Sequence, residues 1–186
     1  LWSRGLGDVY KRQGRSRNDQ VALDLLLWIE EASGDLEKQF DALFRALVEL
    51  ARRDGMIVMP AYTHLQRAQP IVVGAELMAW LSGLDRSRSR LKILRTIHLS
   101  NPLGSGAIAG SSLPLDRLYT AQQLPVGDPT ANSIDATASR DAAIDFVYAL
   151  AMIAMNLSRW AEQWIIYAST EFGFIRLSDP LSLIHI

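Results

Sequence analysis

The chain has 186 residues, 49% of them hydrophobic, and a formal net charge of −1 from 19 basic and 20 acidic side chains. This balance provides neither the basic excess of a nucleic-acid-binding protein nor the charge run of a disordered tail. Cysteine is absent and the three histidines are scattered, which excludes disulfides and a cysteine nucleophile and argues against a histidine-rich metal site. The composition suits a cytoplasmic protein.

The two ends of the chain differ from the rest. Residues 1–13 have no initiator Met and no apolar segment of the kind found in signal peptides. Residues 180–186 form a short apolar run without cap or turn residues. We therefore expect an N-terminal extension at 1–13, a helical domain at 14–179 and a tail at 180–186, and we interpret the chain as an internal fragment.

The polar segment Gly14–Gln20 opens the first helical pattern. It holds two arginines, a serine, an asparagine and an aspartate within seven residues. Arginine presents a planar fork to carboxylates, and the free N–H groups of a first helical turn attract anions. The segment can therefore hold a carboxylate-rich ligand. The alternative is a helix cap, since Ser16 and Asp19 fit a capping box and Asn18 is itself a good N-cap.

Three long helical patterns dominate the chain, at 19–53, 70–99 and 139–170. Pro70 suits the first position of the second helix. Apolar residues recur at spacings of three, four or seven in each pattern: Ala22, Ile29, Leu36, Leu43 and Leu50, with Leu26, Phe40 and Leu47; Leu77, Leu81, Leu84, Leu91 and Leu94; and Phe146, Leu150, Ile153, Leu157, Trp160, Trp164 and Tyr167. Such helices need partners along their whole length, so the pattern predicts an all-α fold, a long-helix bundle that associates side by side.

No strand of useful length is predicted, and only 56–60 and 172–177 suggest short extended pieces. The longest apolar stretch, Phe146–Met155, is too short to span a bilayer.

The polar residues of 59–70 are predicted to lie in a loop between two prolines. Thr63, His64 and Gln66 lie there together. A histidine held by neighbouring amides and hydroxyls can move a proton near neutral pH, although a lone loop histidine is as readily a surface residue. A second loop, 101–116, is rich in glycine and serine, and is either a tight connection or a mobile cover over a site.

A last polar cluster precedes the third helix. Ser139 can cap that helix, and Arg140 lies in its first turn. A cation there opposes the helix dipole, so Arg140 invites a functional explanation such as binding a carboxylate.

Several segments together resemble argininosuccinate lyase of the fumarase/aspartase superfamily. Gly-Arg-Ser-Arg-Asn-Asp-Gln-Val-Ala at 14–22 is similar to its first signature, and Thr-His-Leu-Gln-Arg-Ala-Gln-Pro at 63–70 to its second. Further similar segments, in the right order, lie at 102–107, 132–136, 139–141 and 171–179. Ser-Arg-Asn-Asp-Gln separates this family from fumarases, aspartases and adenylosuccinate lyases.

The resemblance implies a long helical bundle assembled as a homotetramer, with active sites built from three subunits. It implies reversible cleavage of argininosuccinate to arginine and fumarate, without a metal or organic cofactor. Ser16, Arg17 and Asn18 are then expected to hold substrate carboxylates. Thr63 and His64 would be catalytic residues at the fumarate half, with His64 assisting proton transfer. Gln66 and Arg140 are expected as further substrate contacts.

The chain also departs from the family pattern. Arg12-Gln13 stands where the family has His-Thr, and the serine loop that supplies the family's base does not follow Asp179. We therefore expect these 186 residues to be inactive alone. Two alternatives remain open: another fumarate-releasing lyase, and a non-catalytic helical assembly module related to these enzymes.

Overall fold

The computed structural model describes residues 14–178, most of which lie in three long helices. The elements in chain order are α1 (Arg17–Asp54), β1 (Val58–Thr63), β2 (Gln66–Val72), α2 (Val73–His98), β3 (Ser100–Asn101), α3 (Arg117–Gln122), β4 (Gly127–Pro129), α4 (Ser133–Ala138) and α5 (Asp141–Ala168). The expected segments 1–13 and 180–186 lie outside the described residues.

The three predicted long helices are confirmed, and their apolar rows supply most of the core. All five leucines predicted for α2 are buried, from Leu77 to Leu94. In α1 the buried members are Ile29, Phe40 and Leu47. The row in α5 is only partly buried, since Phe146 and Tyr167 are covered while Leu157 remains 39% exposed.

The described residues divide into two compact units, each built on parts of these three helices. The first comprises the described residues through Asp41 together with Ser89–Tyr148. There Arg95 pairs with Glu30 and Glu37, joining α2 to α1. Trp28 of α1 and Phe146 of α5 pack edge to face, with ring centroids 5.6 Å apart.

The second unit comprises Ala42–Arg88 and the described residues from Ala149 onward. Its core is Leu47 of α1 with Leu77 and Leu81 of α2, against which Trp160 and Trp164 of α5 pack. The Trp80 and Trp160 rings stack at 6.4 Å. Three helical faces therefore meet in this unit around large apolar side chains.

Residues 58–72 form an antiparallel β-hairpin, so the prediction of no useful strand is wrong here. Pro70 consequently does not begin a helix, because it lies in β2 opposite Pro60 and α2 begins at Val73. The strand was missed because β2 is exposed from Gln66 to Pro70. A strand with no buried face lacks the apolar alternation that sequence patterns detect.

The segment after α2 contains two six-residue helices that the sequence analysis did not identify. Asp116 caps α3, and the Asn132 side chain accepts the Ile134 and Asp135 N–H groups at the start of α4. Arg117 donates to the Leu103 carbonyl at 3.0 Å and to Thr130 at 2.9 Å. These bonds tie the loop at 101–116 to the start of α3 and to the residues before α4.

Helix α5 exposes many of its apolar side chains, including Ile144, Val147 and Ile165, which are 63–64% exposed. By length and composition it could cross a membrane, and a single helix of this kind among the described residues is weak evidence for a span. With only 22% of its most apolar stretch buried in this chain, the helix leaves many apolar side chains uncovered.

Candidate active site

The first polar signature forms a capping box at the start of α1. The Ser16 N–H donates to Asp19 Oδ1 at 2.8 Å, and the Asn18 N–H donates to Ser16 Oγ at 3.3 Å. The predicted Ser16–Asp19 cap is therefore confirmed, whereas Asn18 lies inside the helix and does not cap it. The Arg17 and Asn18 side chains are exposed, and the Arg17 guanidinium makes none of the hydrogen bonds of the cap.

The same signature holds the glycine-rich loop. Asp19 Oδ2 accepts the N–H groups of Gly104 at 3.2 Å and Gly106 at 2.9 Å, and Asp19 has no exposed surface. The Asn18 side-chain amide donates to the Ala107 carbonyl at 2.8 Å. The start of α1 and the loop at 104–107 are thus fixed to one another by side chains of the signature.

A small open cleft of about 230 Å³ lies between these two segments. It is lined by Gly14, Arg15, Ser16, Gly106, Ala107, Gly110 and Ser111. An arginine and two hydroxyls are donors that suit a carboxylate. Of the predicted carboxylate-binding residues only Ser16 lines this cleft, and the arginine in it is Arg15 rather than Arg17.

Arg140 lies in the same unit, at the junction of α4 and α5. Its Nη1 donates to the carbonyls of Thr137, Ala138 and Ser139, at 3.2, 3.3 and 2.7 Å. These carbonyls are at the end of α4, where a cation is favourable. The arginine that seemed misplaced at the start of α5 thus has a local role at the end of α4.

Arg140 also lines a larger cavity of about 310 Å³. Polar side chains there include His98, Asn132, Asp135 and Ser139. The predicted Ser139 cap is present, since its hydroxyl accepts the Asp141 N–H at 3.2 Å. The exposed Arg140 side chain keeps its other nitrogens available to a ligand in this cavity.

The second signature forms the tip of the β1–β2 hairpin. Thr63 pairs with Gln66 across the strands, with His64 and Leu65 as the two turn residues. Both turn residues have positive φ, 54° for His64 and 57° for Leu65, as a type I′ turn requires. Such turns favour glycine and asparagine, so Leu65 in particular is an unfavourable residue at this tip.

A pocket of about 290 Å³ adjoins this tip in the second unit. It is lined by Tyr62, His64, Leu65, Gln163, Ile166, Tyr167 and Phe172. The Tyr167 hydroxyl lies 3.4 Å from Glu76 Oε1, which also accepts from the Trp80 indole at 3.2 Å. Burial, and then the charge of Glu76, raise the pKa of Tyr167 above its ordinary value of 10.0.

The seven predicted site residues fall into two groups. Ser16, Arg17, Asn18 and Arg140 belong to the first unit, and Thr63, His64 and Gln66 lie together in the second. Sequence reasoning missed two residues beside these groups. Asp19 was interpreted only as a cap, and Tyr167 only as part of an apolar stripe. Within residues 14–178, no three histidine, aspartate or glutamate side chains cluster as a metal site would require.

Similarity to known proteins identifies the family of this chain. A family model described as "Lyase" matches residues 10–183. The argininosuccinate lyase of Thioalkalivibrio sulfidiphilus (strain HL-EbGR7) is 46% identical over 94% of this chain and 38% of its own length. That of Jannaschia sp. (strain CCS1) is 45% identical over 90% of this chain and 35% of its own length. The chain therefore spans little more than a third of these curated relatives.

Among solved structures, an EDDS lyase in complex with formate matches with a TM-score of 0.82 at 29% identity. The match covers 90% of this chain and 34% of that chain. The predicted fold is thereby confirmed: the long helices are those of the fumarase/aspartase type.

Proposed function

The chain belongs to the lyase family, and from this membership we propose that it is part of an argininosuccinate lyase. The reaction is the reversible elimination of argininosuccinate to arginine and fumarate. Two argininosuccinate lyases that are 45–46% identical to the chain support this substrate. The observation that carries the proposal is the first turn of α1, where the exposed Arg17 and Asn18 directly follow Ser16, a lining residue of the polar cleft.

The proposed chemistry needs three groups around the substrate. A base removes the proton next to a carboxylate, the bond from carbon to the guanidino nitrogen breaks, and an acid protonates that nitrogen as arginine leaves. Negative charge builds up on the carboxylate during this step. Hydrogen-bond donors placed around that carboxylate stabilise the intermediate.

The donors in the first unit suit substrate binding. In our proposal Ser16, Arg17 and Asn18 hold the substrate carboxylates, with the Arg17 guanidinium as the strongest donor. Arg140 is a further contact, through guanidinium nitrogens other than the Nη1 that caps α4. Every one of these groups except the half-buried Ser16 is exposed, as a residue that meets a ligand must be.

The hairpin tip in the second unit suits proton transfer. We assign Thr63 and His64 to the fumarate half of the substrate, with His64 assisting proton transfer. Gln66, paired with Thr63 across the turn, is a further contact. The base itself is not among the seven residues that we assign.

The assembly we propose is a homotetramer in the cytoplasm, in which other copies cover the apolar face of α5. Its exposed side chains include Ile144, Val147, Tyr148 and Ile165, all more than half exposed. Large apolar faces of this kind mark interaction surfaces. Other copies of the chain present the same apolar side chains, so a symmetric association can bury them against one another, and our proposal includes no nucleic-acid or membrane partner.

A substitution at Arg17 tests the proposed site. In the full-length protein, we expect Arg17→Ala to lower kcat/KM for argininosuccinate by about a hundredfold or more, because a charged hydrogen bond to the substrate is lost. Arg17→Lys should recover only part of this loss, since lysine cannot form the fork. Arg45→Ala, at an exposed position of the same helix, is the matched control. Unchanged kinetics in Arg17→Ala would remove the proposed role.

A further inference from the structure

Asp19 is a fully buried carboxylate for which the proposed reaction has no use. Its two oxygens accept three backbone N–H groups, from Ser16, Gly104 and Gly106. We propose that Asp19 is a positioning residue, which holds the glycine-rich loop against the start of α1 and so fixes the shape of the substrate cleft. This inference rests on the proposed function of that cleft.

The two oxygens of Asp19 act on different parts of the cleft. Oδ1 holds the N–H of Ser16, at 2.8 Å. Oδ2 holds the Gly106 N–H, at 2.9 Å, in the glycine-rich loop that also lines the cleft. Both Ser16 and Gly106 line the cleft, so one side chain sets the separation between these two lining residues.

The loop conformation explains how two of its N–H groups converge on one oxygen. Gly104 and Gly106 have φ values of +87° and +65°, which other residues rarely adopt. A Cβ added at Gly106 would lie 2.4 Å from the Gly110 carbonyl oxygen. The glycines are therefore needed for the turn that points the N–H groups inward, and Asp19 supplies the acceptor that they require.

The same arrangement orients Asn18, one of the proposed substrate contacts. The Asn18 amide nitrogen donates to the Ala107 carbonyl at 2.8 Å, one residue beyond Gly106. If the loop moves away from Asp19, Ala107 moves with it and Asn18 loses this partner. Asp19 thus acts on substrate binding through the loop, without touching the substrate.

The charge of Asp19 is needed as well as its shape. All three partners are donors, and a carboxylate offers only acceptors. Asparagine has the same size, but either orientation of its amide places an NH2 group against at least one N–H. A buried N–H that faces this NH2 group loses its hydrogen bond to the protein and cannot replace it with one to water.

The test measures the loop and the kinetics separately. In the full-length protein, we expect Asp19→Asn to speed hydrogen–deuterium exchange of the Gly104 and Gly106 amides by about ten- to a hundredfold. It should also lower kcat/KM for argininosuccinate at least tenfold, mainly through KM. Asp24→Asn, at an exposed position of the same helix, should change neither value by more than about twofold. Ile29→Val, a core substitution in α1, controls for a general loss of stability and should leave KM unchanged.

A second variant, Gly104→Ala, disturbs the loop directly and leaves Asp19 unchanged. A Cβ at Gly104 would lie 2.8 Å from the Arg117 side chain, so Gly104→Ala should displace the loop and raise KM as Asp19→Asn does. This variant tests the inference if Asp19→Asn does not fold. Unchanged exchange at Gly106 in folded Asp19→Asn, or unchanged KM in both variants, would overturn it.

The two proposals fail differently. If the wild-type protein does not act on argininosuccinate, the proposed function is wrong, and the exchange measurement still decides whether Asp19 holds the loop. If the wild type is active but Asp19→Asn matches it in both exchange and KM, only the positioning role is wrong.

Discussion

His64 is presented by a turn that costs free energy. The turn residues His64 and Leu65 both have positive φ, and left-handed conformations cost about 1–2 kcal/mol per residue outside glycine. Strain of this kind is tolerated where the surroundings enforce it, and it concentrates at functional sites. The strain at this tip is therefore an observation that supports the proposed role of His64.

Replacing the second turn residue should recover part of that cost. We expect Leu65→Gly to raise the free energy of unfolding by about 1 kcal/mol, because glycine adopts positive φ without strain. Leu65 is 66% exposed, so little burial is lost. Leu65→Ala removes the same side chain but keeps the strain, and should not stabilise. Denaturant unfolding curves measure both variants, and equal midpoints would contradict the strain argument.

Tyr167 should make stability depend on pH at the alkaline end. Its folded pKa lies above the ordinary value of 10.0, through burial and the nearby Glu76 carboxylate. The contribution of Tyr167 to the free energy of unfolding is therefore fully present below pH 10.0, and it is lost as the pH rises through the folded pKa. We expect Tyr167→Phe to flatten this alkaline decline. Unfolding curves measured across the alkaline range, with tyrosinate absorbance followed alongside, check this prediction. An equally steep alkaline decline of stability in Tyr167→Phe would contradict it.

At the scale of elements, two glycines with opposite environments give a matched pair. Gly34 lies inside α1 with nothing within 4 Å of an added Cβ, whereas Gly106 has positive φ and faces the Gly110 carbonyl. We expect Gly34→Ala to raise the free energy of unfolding by about 1 kcal/mol. Gly106→Ala should lower it by about 2 kcal/mol or more. Thermal unfolding of both variants decides, and a stabilising Gly106→Ala would show that the loop geometry is wrong.

The long helices could be predicted from sequence because their burial follows the helical period. The five buried leucines of α2 recur at spacings of three, four and seven. Helices α3 and α4 have six residues each, too few to show a period. The β1–β2 hairpin was missed because its signature residues are exposed on both faces, which removes the alternation on which strand prediction depends.

The candidate site was predictable only in part, for a different reason. The motifs at 14–22 and 63–70 identify residues through local sequence. The bond from Gly104 to Asp19 joins positions 85 apart, and the one from Tyr167 to Glu76 joins positions 91 apart. No local pattern encodes such pairs, since they arise only when the helices pack.

At the scale of the whole molecule, the uncovered apolar side chains of α5 predict self-association. We expect light scattering on the purified chain to show oligomers or aggregates rather than a monomer of 20.7 kDa, because exposed apolar faces associate in water. Replacing Ile144 and Val147, both more than 60% exposed, by glutamate should reduce the association. A stable monomer in the unmodified chain would contradict the proposed packing.

The most direct test of the account is fumarate release by the full-length wild-type protein. Argininosuccinate, malate, aspartate and adenylosuccinate should be supplied in parallel, with fumarate and the amine product measured by NMR. We predict release from argininosuccinate with arginine in equal amount, and kcat/KM for the other three lower by at least a hundredfold. Preferential turnover of another of these substrates would make the protein a different lyase of the same fold, and no turnover of any would favour a non-catalytic assembly module.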